Sequence, residues 1–333
     1  MYQMSIYVIP TVPTFHIGSI LEKNANETGL RVMYPMGHEK TNGGFYLPRG
    51  ECYCRLPGIR ELQGQDVEVI HSGYSRYPVN DGLEFLRQIL SILREPRLAD
   101  GNLLEGPKHM HLHLLSFPYG KQDGHWSDGE NNRARQLTEE FLICCDSLTV
   151  IAPHFQTREW GKDFIDAHQV EYISPYDMLL DDIARDFPKE DLAFMSPGKF
   201  ARFGDIDSPL IRTHRVEGLG VEIDDEIDPN FYGRKVVAVV DDLTLSGSTA
   251  IKFLFKLHQL KAKRKLLALP HIGTEEALKR LLNNGYDRIY TTNSCNIFSP
   301  EDYRNPKLSI LDITPLLLTA IRREYELPVE QSL

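Results

Sequence analysis

The densest chemistry in the chain lies at Val236–Thr249. An apolar run, Val236-Val-Ala-Val-Val240, delivers two adjacent carboxylates, Asp241 and Asp242, into a turn through Thr244, Leu245, Ser246, Gly247, Ser248 and Thr249. A carboxylate pair beside a Gly-bearing turn that opens a helix suits a phosphorylated sugar. Backbone N–H groups of the turn and of the first helical turn can point at an anion, and the helix dipole favours its charge. Ser246, Ser248 and Thr249 add hydroxyl donors, and Gly247 lets the backbone approach closely. Asp241 and Asp242 can accept from vicinal ribose hydroxyls. Taken alone, the pattern also describes a capped turn with solvated aspartates. The agreement of strand, spacing and helix selects the ribose-phosphate reading.

That site needs a strand to present it, and the chain repeats strand, loop and amphipathic helix throughout. Val67–His71 reads as a strand. Asn80 and Asp81 are expected to cap a helix whose inner face carries Leu83, Leu86, Ile89, Leu90 and Leu93. His111–Phe117 is a strand stopped by Pro118. Gly129–Cys145 is a helix with Leu137, Phe141 and Leu142 inward, and Leu148–Ala152 a further strand. In the second half Lys235–Val240 has the continuous apolar character of a strand buried on both faces of a parallel sheet. It precedes a helix with Ile251, Leu254, Leu257 and His258 on one side. Leu266–Pro270 and Arg288–Thr291 are strands, with Glu275–Asn283 a helix between them. The acidic stretch Glu217–Asn230 reads as an exposed loop or flap. The alternation predicts α/β parallel sheets, and the halves look like two copies of one plan.

Composition bounds the class. The chain has 333 residues and a formal net charge of −10, with 41% hydrophobic and 25% charged residues. This is ordinary globular usage with room for about two domains. The acidic balance disfavours nucleic acid and membrane surfaces as partners. No apolar run is long enough for a transmembrane helix, the N-terminus carries no signal-peptide pattern, and five cysteines fit a reducing, cytoplasmic setting. Cys52-x-Cys54 and Cys144-Cys145 lack metal-ligand spacing and read as buried thiols. His111 and His113 share one strand face without a third ligand and are given a structural role. The basic run Lys261–Lys265 follows a helix and is read as complementing its dipole.

The segment Asp241–Thr249 resembles the phosphoribosyl-diphosphate motif of the type I phosphoribosyltransferases. Over most of its length the chain resembles the ribose-phosphate pyrophosphokinase family. Leu62-Gln-Gly-Gln-Asp-Val67 is similar to that family's V-R-G-x-D-V, and Pro78-Val-Asn-Asp81 to its P-V-N-D. Pro118-Tyr-Gly-Lys121-Gln122-Asp123 is similar to its P-Y-x-x-x-R-Q-D, and Leu148–His154 to the strand ending in D-L-H. Thr291–Cys295 and Leu308–Ile321 resemble its closing elements. The resemblance implies two tandem doubly wound parallel-sheet domains of phosphoribosyltransferase type I-like fold, related by a pseudo-twofold. One spans 1–157 joined by 308–333, and the other 158–307. It implies Mg²⁺-dependent transfer of the β,γ-diphosphoryl group of ATP to the anomeric hydroxyl of ribose 5-phosphate or an ester such as ADP-ribose, with the active site between the domains. ATP would be met by Lys121, Gln122, Asp123, Arg49 and Glu51, and the metal by His154 and Glu171. A homo-oligomer, dimer or hexamer, would share sites.

Departures from the family pattern keep alternatives open. The flap's K-R-R reads Arg212-Thr213-His214-Arg215, so Thr213 stands in the lysine's place. S-P-D-x-G-G is reduced to Ser196-Pro197-Gly198-Lys199-Phe200, and F-x-D-G-E reads Leu47-Pro48-Arg49-Gly50-Glu51. Lys121 replaces an arginine and offers charge without a bidentate fork. Catalytic cations are therefore expected at Arg215, His214 or Lys199, with Arg202 and Arg212 as further candidates. The rivals are a catalytically silent regulatory homologue and a phosphoribosyltransferase.

Overall fold

Strands and helices alternate from Ile6 to Glu324 in the computed structural model. The structure describes residues 6–25, 29–125, 127–188, 191–197, 202–203, 206–207, 210–211, 213–216, 220–223 and 235–325; between 202 and 223 it describes backbone only. Two units separate, Met1–Ile173 with Thr314–Leu333 and Ser174–Ile313.

The first unit holds strands β1 (Ile6–Pro10), β2 (Leu30–Val32), β3 (Asp66–Ser72), β4 (His109–Ser116), β5 (Ser147–Ile151) and β6 (Val170–Ile173). Their order in the sheet is β2-β1-β3-β4-β5-β6, and every pairing is parallel. β1 and β3 are buried at every residue, as strands covered on both faces must be. Its helices are α1 (Phe15–Lys23), α2 (Val79–Arg94), α3 (Arg133–Cys144) and α4 (Glu159–Asp166). α2 buries Leu83, Leu86, Ile89, Leu90 and Leu93 against the sheet core, as their spacing predicts. Asn80 and Asp81 do not cap it. They lie inside its first turn, behind Pro78, and accept instead from Tyr119 Oη and Tyr46 Oη. α3 begins later than its apolar pattern suggests because the Asn132 side chain caps it, accepting from Arg135 N at 3.0 Å.

The second unit holds α5 (Tyr176–Asp186), β7 (Leu192–Pro197), β8 (Arg202–Phe203), β9 (Ile206–Asp207), β10 (Leu210–Ile211), β11 (Thr213–Val216), β12 (Gly220–Ile223), β13 (Val236–Val240), β14 (Leu243–Thr244), α6 (Ser248–Gln259), β15 (Arg264–Leu269), β16 (His271–Ile272), α7 (Glu275–Asn283), β17 (Arg288–Thr292) and β18 (Leu308–Leu311). Its main sheet runs β10-β7-β13-β15-β17-β18, again all parallel. Counting strands in chain order, this is the succession of the first sheet, and it gives the reading of two copies its structural form. The inner face of α6 uses Phe253 beside Ile251, Leu254 and Leu257, whereas His258 is exposed.

The unit boundaries differ from 157/158 and 307/308. β6 pairs with β5, from Leu148↔Val170 to Ile151↔Ile173, so α4 and β6 complete the first sheet. β18 pairs with β17 and stays in the second. Only the last helix, α8 (Thr314–Glu324), rejoins the first unit. Within the acidic stretch, Gly220–Ile223 is a strand pairing antiparallel with β11; residues 217–219 and 224–230 lie outside the described residues. Among the described residues no helix is long and apolar enough to cross a membrane, and all five cysteines are free thiols.

One polar network sits inside the first sheet. Glu68 on β3 is fully buried and shares hydrogen bonds of 2.5 Å with His113 Nε2 on β4 and with Tyr325 Oη, just beyond α8. The rings of His111 and His113 stack at 4.4 Å. Burial pushes the Glu68 carboxyl up, opposed by His111 and by the Tyr325 hydrogen bond and reinforced by Glu324 and Asp66. Burial likewise pushes His113 down. The folded protein therefore binds a proton at Glu68 that the unfolded chain releases above about pH 4.5. That stabilisation is complete below the ordinary carboxylate range and drains away as pH rises to neutrality. Glu68→Gln, whose amide can donate to His113 and accept from Tyr325, should remove this dependence. Melting curves from pH 5 to 8 should show the wild type losing on the order of 1–3 kcal/mol relative to the variant. Parallel pH profiles would refute the assignment.

Candidate active site

The loop Asp241–Thr249 emerges from the C-terminal end of β13, the side of a parallel sheet where ligands bind. Asp241 N donates to Ala268 O at 3.1 Å, carrying the ladder one residue past the strand. The Asp241 carboxylate then accepts from Asp242 N at 3.0 Å, and the buried Asp242 carboxylate from Leu243 N at 2.6 Å. β14 pairs with β16 in parallel, Leu243 opposite His271, which fixes the loop's outer limb. Thr244 Oγ1 accepts from Gly247 N at 2.9 Å. Gly247 has φ +73°, and a Cβ there would meet the Leu281 side chain at 3.4 Å, so glycine is required on conformation first and space second. It directly precedes α6, whose first N–H groups are the anion-binding end of a helix.

Two residues that sequence reading did not select brace this loop. Arg280 on α7 donates to Ser246 O at 3.1 Å and to Ser248 Oγ at 3.2 Å. Thr274 Oγ1 donates to Leu245 O at 2.9 Å while its side chain also caps α7. Ser246, exposed, donates to Ser248 Oγ at 3.0 Å. All eight residues read from the sequence as ribose-phosphate ligands thus share one turn, and a neighbouring helix holds its shape.

The second cluster stands past the C-terminal ends of β4 and β5 in the first unit. Asp123 is its centre. The carboxylate is wholly buried and accepts from His154 Nδ1 at 2.8 Å, Arg158 Nε at 2.9 Å and Arg158 Nη2 at 3.1 Å. Its backbone carbonyl accepts from Trp160 Nε1 at 3.0 Å and Asn132 Nδ2 at 3.2 Å. Burial works to raise its pKa, yet the hydrogen bonds and charges of His154 and Arg158 win and hold it down to about 2. An ionised Asp123 fixes the His154 tautomer, with Nδ1–H toward the carboxylate and the lone pair on Nε2. Asp123, expected to face ATP, is instead spent inside the protein; Lys121 is half-buried and Gln122 exposed beside it.

The remaining expected residues fall elsewhere. Arg49 and Glu51 stand exposed at the tip of a hairpin closed by Leu47 N donating to Glu51 O at 2.8 Å. Glu171 is not brought to His154. It lies on β6 opposite Thr149, accepts from Thr149 Oγ1 at 3.2 Å and faces Arg323 at 3.8 Å. It lines a cavity of about 890 Å³ with His111, Ser147 and Glu324, at the opposite, N-terminal end of the strands. Among the described residues no group of three or more His, Cys, Asp or Glu is arranged to hold a metal ion. Lys199 and Arg212 lie outside the described residues. His214 and Arg215 belong to β11, which is described by backbone alone, as is Arg202 on β8.

No family model matches the chain. A ribose-phosphate pyrophosphokinase of Mycobacterium leprae is 25% identical over 300 residues, covering 87% of this chain and 86% of that protein. One from Mycobacterium bovis is 26% identical over 323 residues, covering 92% and 90%. Over about nine-tenths of its length the chain is thus similar to ribose-phosphate pyrophosphokinases. A crystal structure of phosphoribosylpyrophosphate synthetase from Mycobacterium smegmatis superposes with a TM-score of 0.75 at 20% identity, covering 97% of this chain and 99% of that one. The fold is accordingly of the type I phosphoribosyltransferase kind.

If Arg280 braces the loop, Arg280→Ala should speed amide hydrogen exchange at Gly247, Ser248 and Thr249 several-fold while leaving β13 protected. Unchanged exchange in the loop would show that the brace is dispensable.

Proposed function

We propose that this chain is a diphosphokinase that transfers the β,γ-diphosphoryl group of ATP to the anomeric hydroxyl of ribose 5-phosphate, or of an ester such as ADP-ribose, releasing AMP. The single observation that carries the reading is the Asp241–Thr249 loop, a phosphate cradle at a helix N-terminus with two carboxylates at the strand end. The names of the relatives support the donor and acceptor classes.

In this reading the second unit binds the acceptor. The 5-phosphate takes the loop and α6 N–H groups, and Asp241 and Asp242 accept from the ribose hydroxyls, leaving the anomeric oxygen to attack the β-phosphorus. The bond from that phosphorus to the α,β-bridging oxygen breaks, and the hydroxyl proton is lost. The first unit binds the donor through the Lys121–Asp123 loop and His154. Mg²⁺ takes few protein ligands beside phosphate oxygens and waters, so it would arrive on the triphosphate and neutralise its charge. Of the two expected ligands only His154 Nε2 fits that part; Glu171, held by Thr149, does not. Arg215 supplies the always-charged fork for the transferring group, with His214 the weaker cation at neutral pH. ADP-ribose fits as acceptor because it presents the same ribose to the loop with the adenylate tail outward. The exposed hairpin bearing Arg49 and Glu51 suits a neighbour's nucleotide site in a cytoplasmic homo-oligomer.

The test is to incubate the protein with ATP, Mg²⁺ and either acceptor and to follow AMP by mass spectrometry. Acceptor-dependent AMP is expected, and its absence with both acceptors would favour the silent homologue, which the threonine at position 213 suggests. Asp242→Asn should weaken ribose 5-phosphate binding about tenfold or more, the value of a charge-assisted hydrogen bond, without unfolding the unit. Arg215→Ala should lower turnover on the order of 10²–10³ with binding kept; full turnover in that variant would move the catalytic cation elsewhere.

A further inference from the structure

Arg158 has no part in the scheme above, yet its setting is not that of an ordinary surface arginine. Its guanidinium meets a carboxylate that is 0% exposed, while the arginine side chain keeps 33% of its surface in solvent. The carboxylate holds it by the Nε–Nη2 edge, so the Nη1 side is turned away from the protein's own acid. Gly124 lies against the guanidinium. A Cβ there would stand 3.6 Å from Cζ, 3.6 Å from Nη2 and 3.7 Å from Nη1, a near-equal spacing that places it over the plane of the fork. Glycine sets no side chain of its own on that plane. Arg158 also occupies the N-cap position of α4, with no side chain bonded across the helix start, so the helix adds positive potential beside it. The whole group stands where the chain leaves β5, at the ligand-binding end of the strands, and the same carboxylate orients His154.

We propose that Arg158 binds the polyphosphate chain of the nucleoside triphosphate, with Asp123 as the positioning residue that sets both its fork and the His154 ring. The inference rests on the diphosphokinase reading for the identity of the ligand. A planar fork matches phosphate oxygens bidentately, which the point charge of Lys121 cannot do. A fork already fixed by a buried acid loses little freedom on binding.

Calorimetric titration with ATP and with AMP, on wild type, Arg158→Lys and Arg158→Met, tests this alongside thermal melts. Arg158→Met should raise the ATP dissociation constant about tenfold or more, and Arg158→Lys by less, with AMP affinity changed less than about twofold. Asp123→Asn should raise KM for ATP more than KM for the acceptor. An arginine that only anchors α4 would lower the melting temperature and leave ATP affinity of the folded protein unchanged, which would overturn the proposal. If the Met variant does not fold, the Lys variant decides by the same ATP-to-AMP comparison. A wild type that binds ATP beside variants that bind it equally overturns Arg158 alone. A wild type that binds no ATP removes the nucleotide reading and this inference with it.

Discussion

Every strand in both six-stranded sheets runs the same way, and the rest of the molecule follows from that constraint. Parallel pairing forbids tight hairpins within the sheet and requires a longer crossover between paired strands, which carries a helix between β1 and β2, β3 and β4, β4 and β5, β5 and β6, β13 and β15, and β15 and β17. It also delivers the strands' C-terminal ends to one edge. Loops as far apart in sequence as Lys121–Asp123 and His154–Arg158 meet there without any local signal joining them. In the second unit the same geometry sets Asp241–Thr249 beside Thr274 and Arg280. That edge is open to ligands, whereas the strand interiors are covered on both faces.

Burial of charge at that edge has a cost that only pairing offsets. Asp123 is out of solvent entirely, and a lone carboxylate there would be protonated. A permanent cation and a histidine hold it ionised, and the indole of Trp160 and the amide of Asn132 take the carbonyl behind it. Removing one partner from such an arrangement leaves an uncompensated buried charge, typically worth about 3–5 kcal/mol. The geometry at His154 is therefore set by the fold, before any ligand arrives.

What could be read from the sequence was what is local in it. The phosphate loop is contiguous, so its strand, acids, glycine and helix announce one another. The inner face of α2 is carried by period alone. The copied plan shows in the rhythm of strands and helices. What escaped reading depends on register between distant segments. Nothing near Arg280 in sequence says that it reaches back to Ser246, and nothing near Asp123 says that it faces inward. Glu171 was placed by similarity to a motif, but Leu148↔Val170 register sets it opposite Thr149, towards the other end of the strands from His154. His258 failed for a simpler reason: period places it at the margin of the apolar stripe, and Phe253, with more area to bury, occupies the core.

Two buried carboxylates of the first unit, Glu68 and Asp123, show how the same side-chain chemistry is turned to opposite ends. Glu68 and Asp123 are both removed from water. Glu68 meets a histidine and a tyrosine, neither of them a fixed charge, so burial prevails and its carboxyl is pushed up towards neutrality. Asp123 meets an arginine that cannot lose its proton, so pairing prevails and its carboxyl is pushed down. The first arrangement closes the N-terminal half of the sheet under the last residues of α8 and needs no charge to do so. The second keeps a full ion pair at the C-terminal edge. The sign of each shift follows from the partner, and the partner follows from which end of the strand the chain has reached.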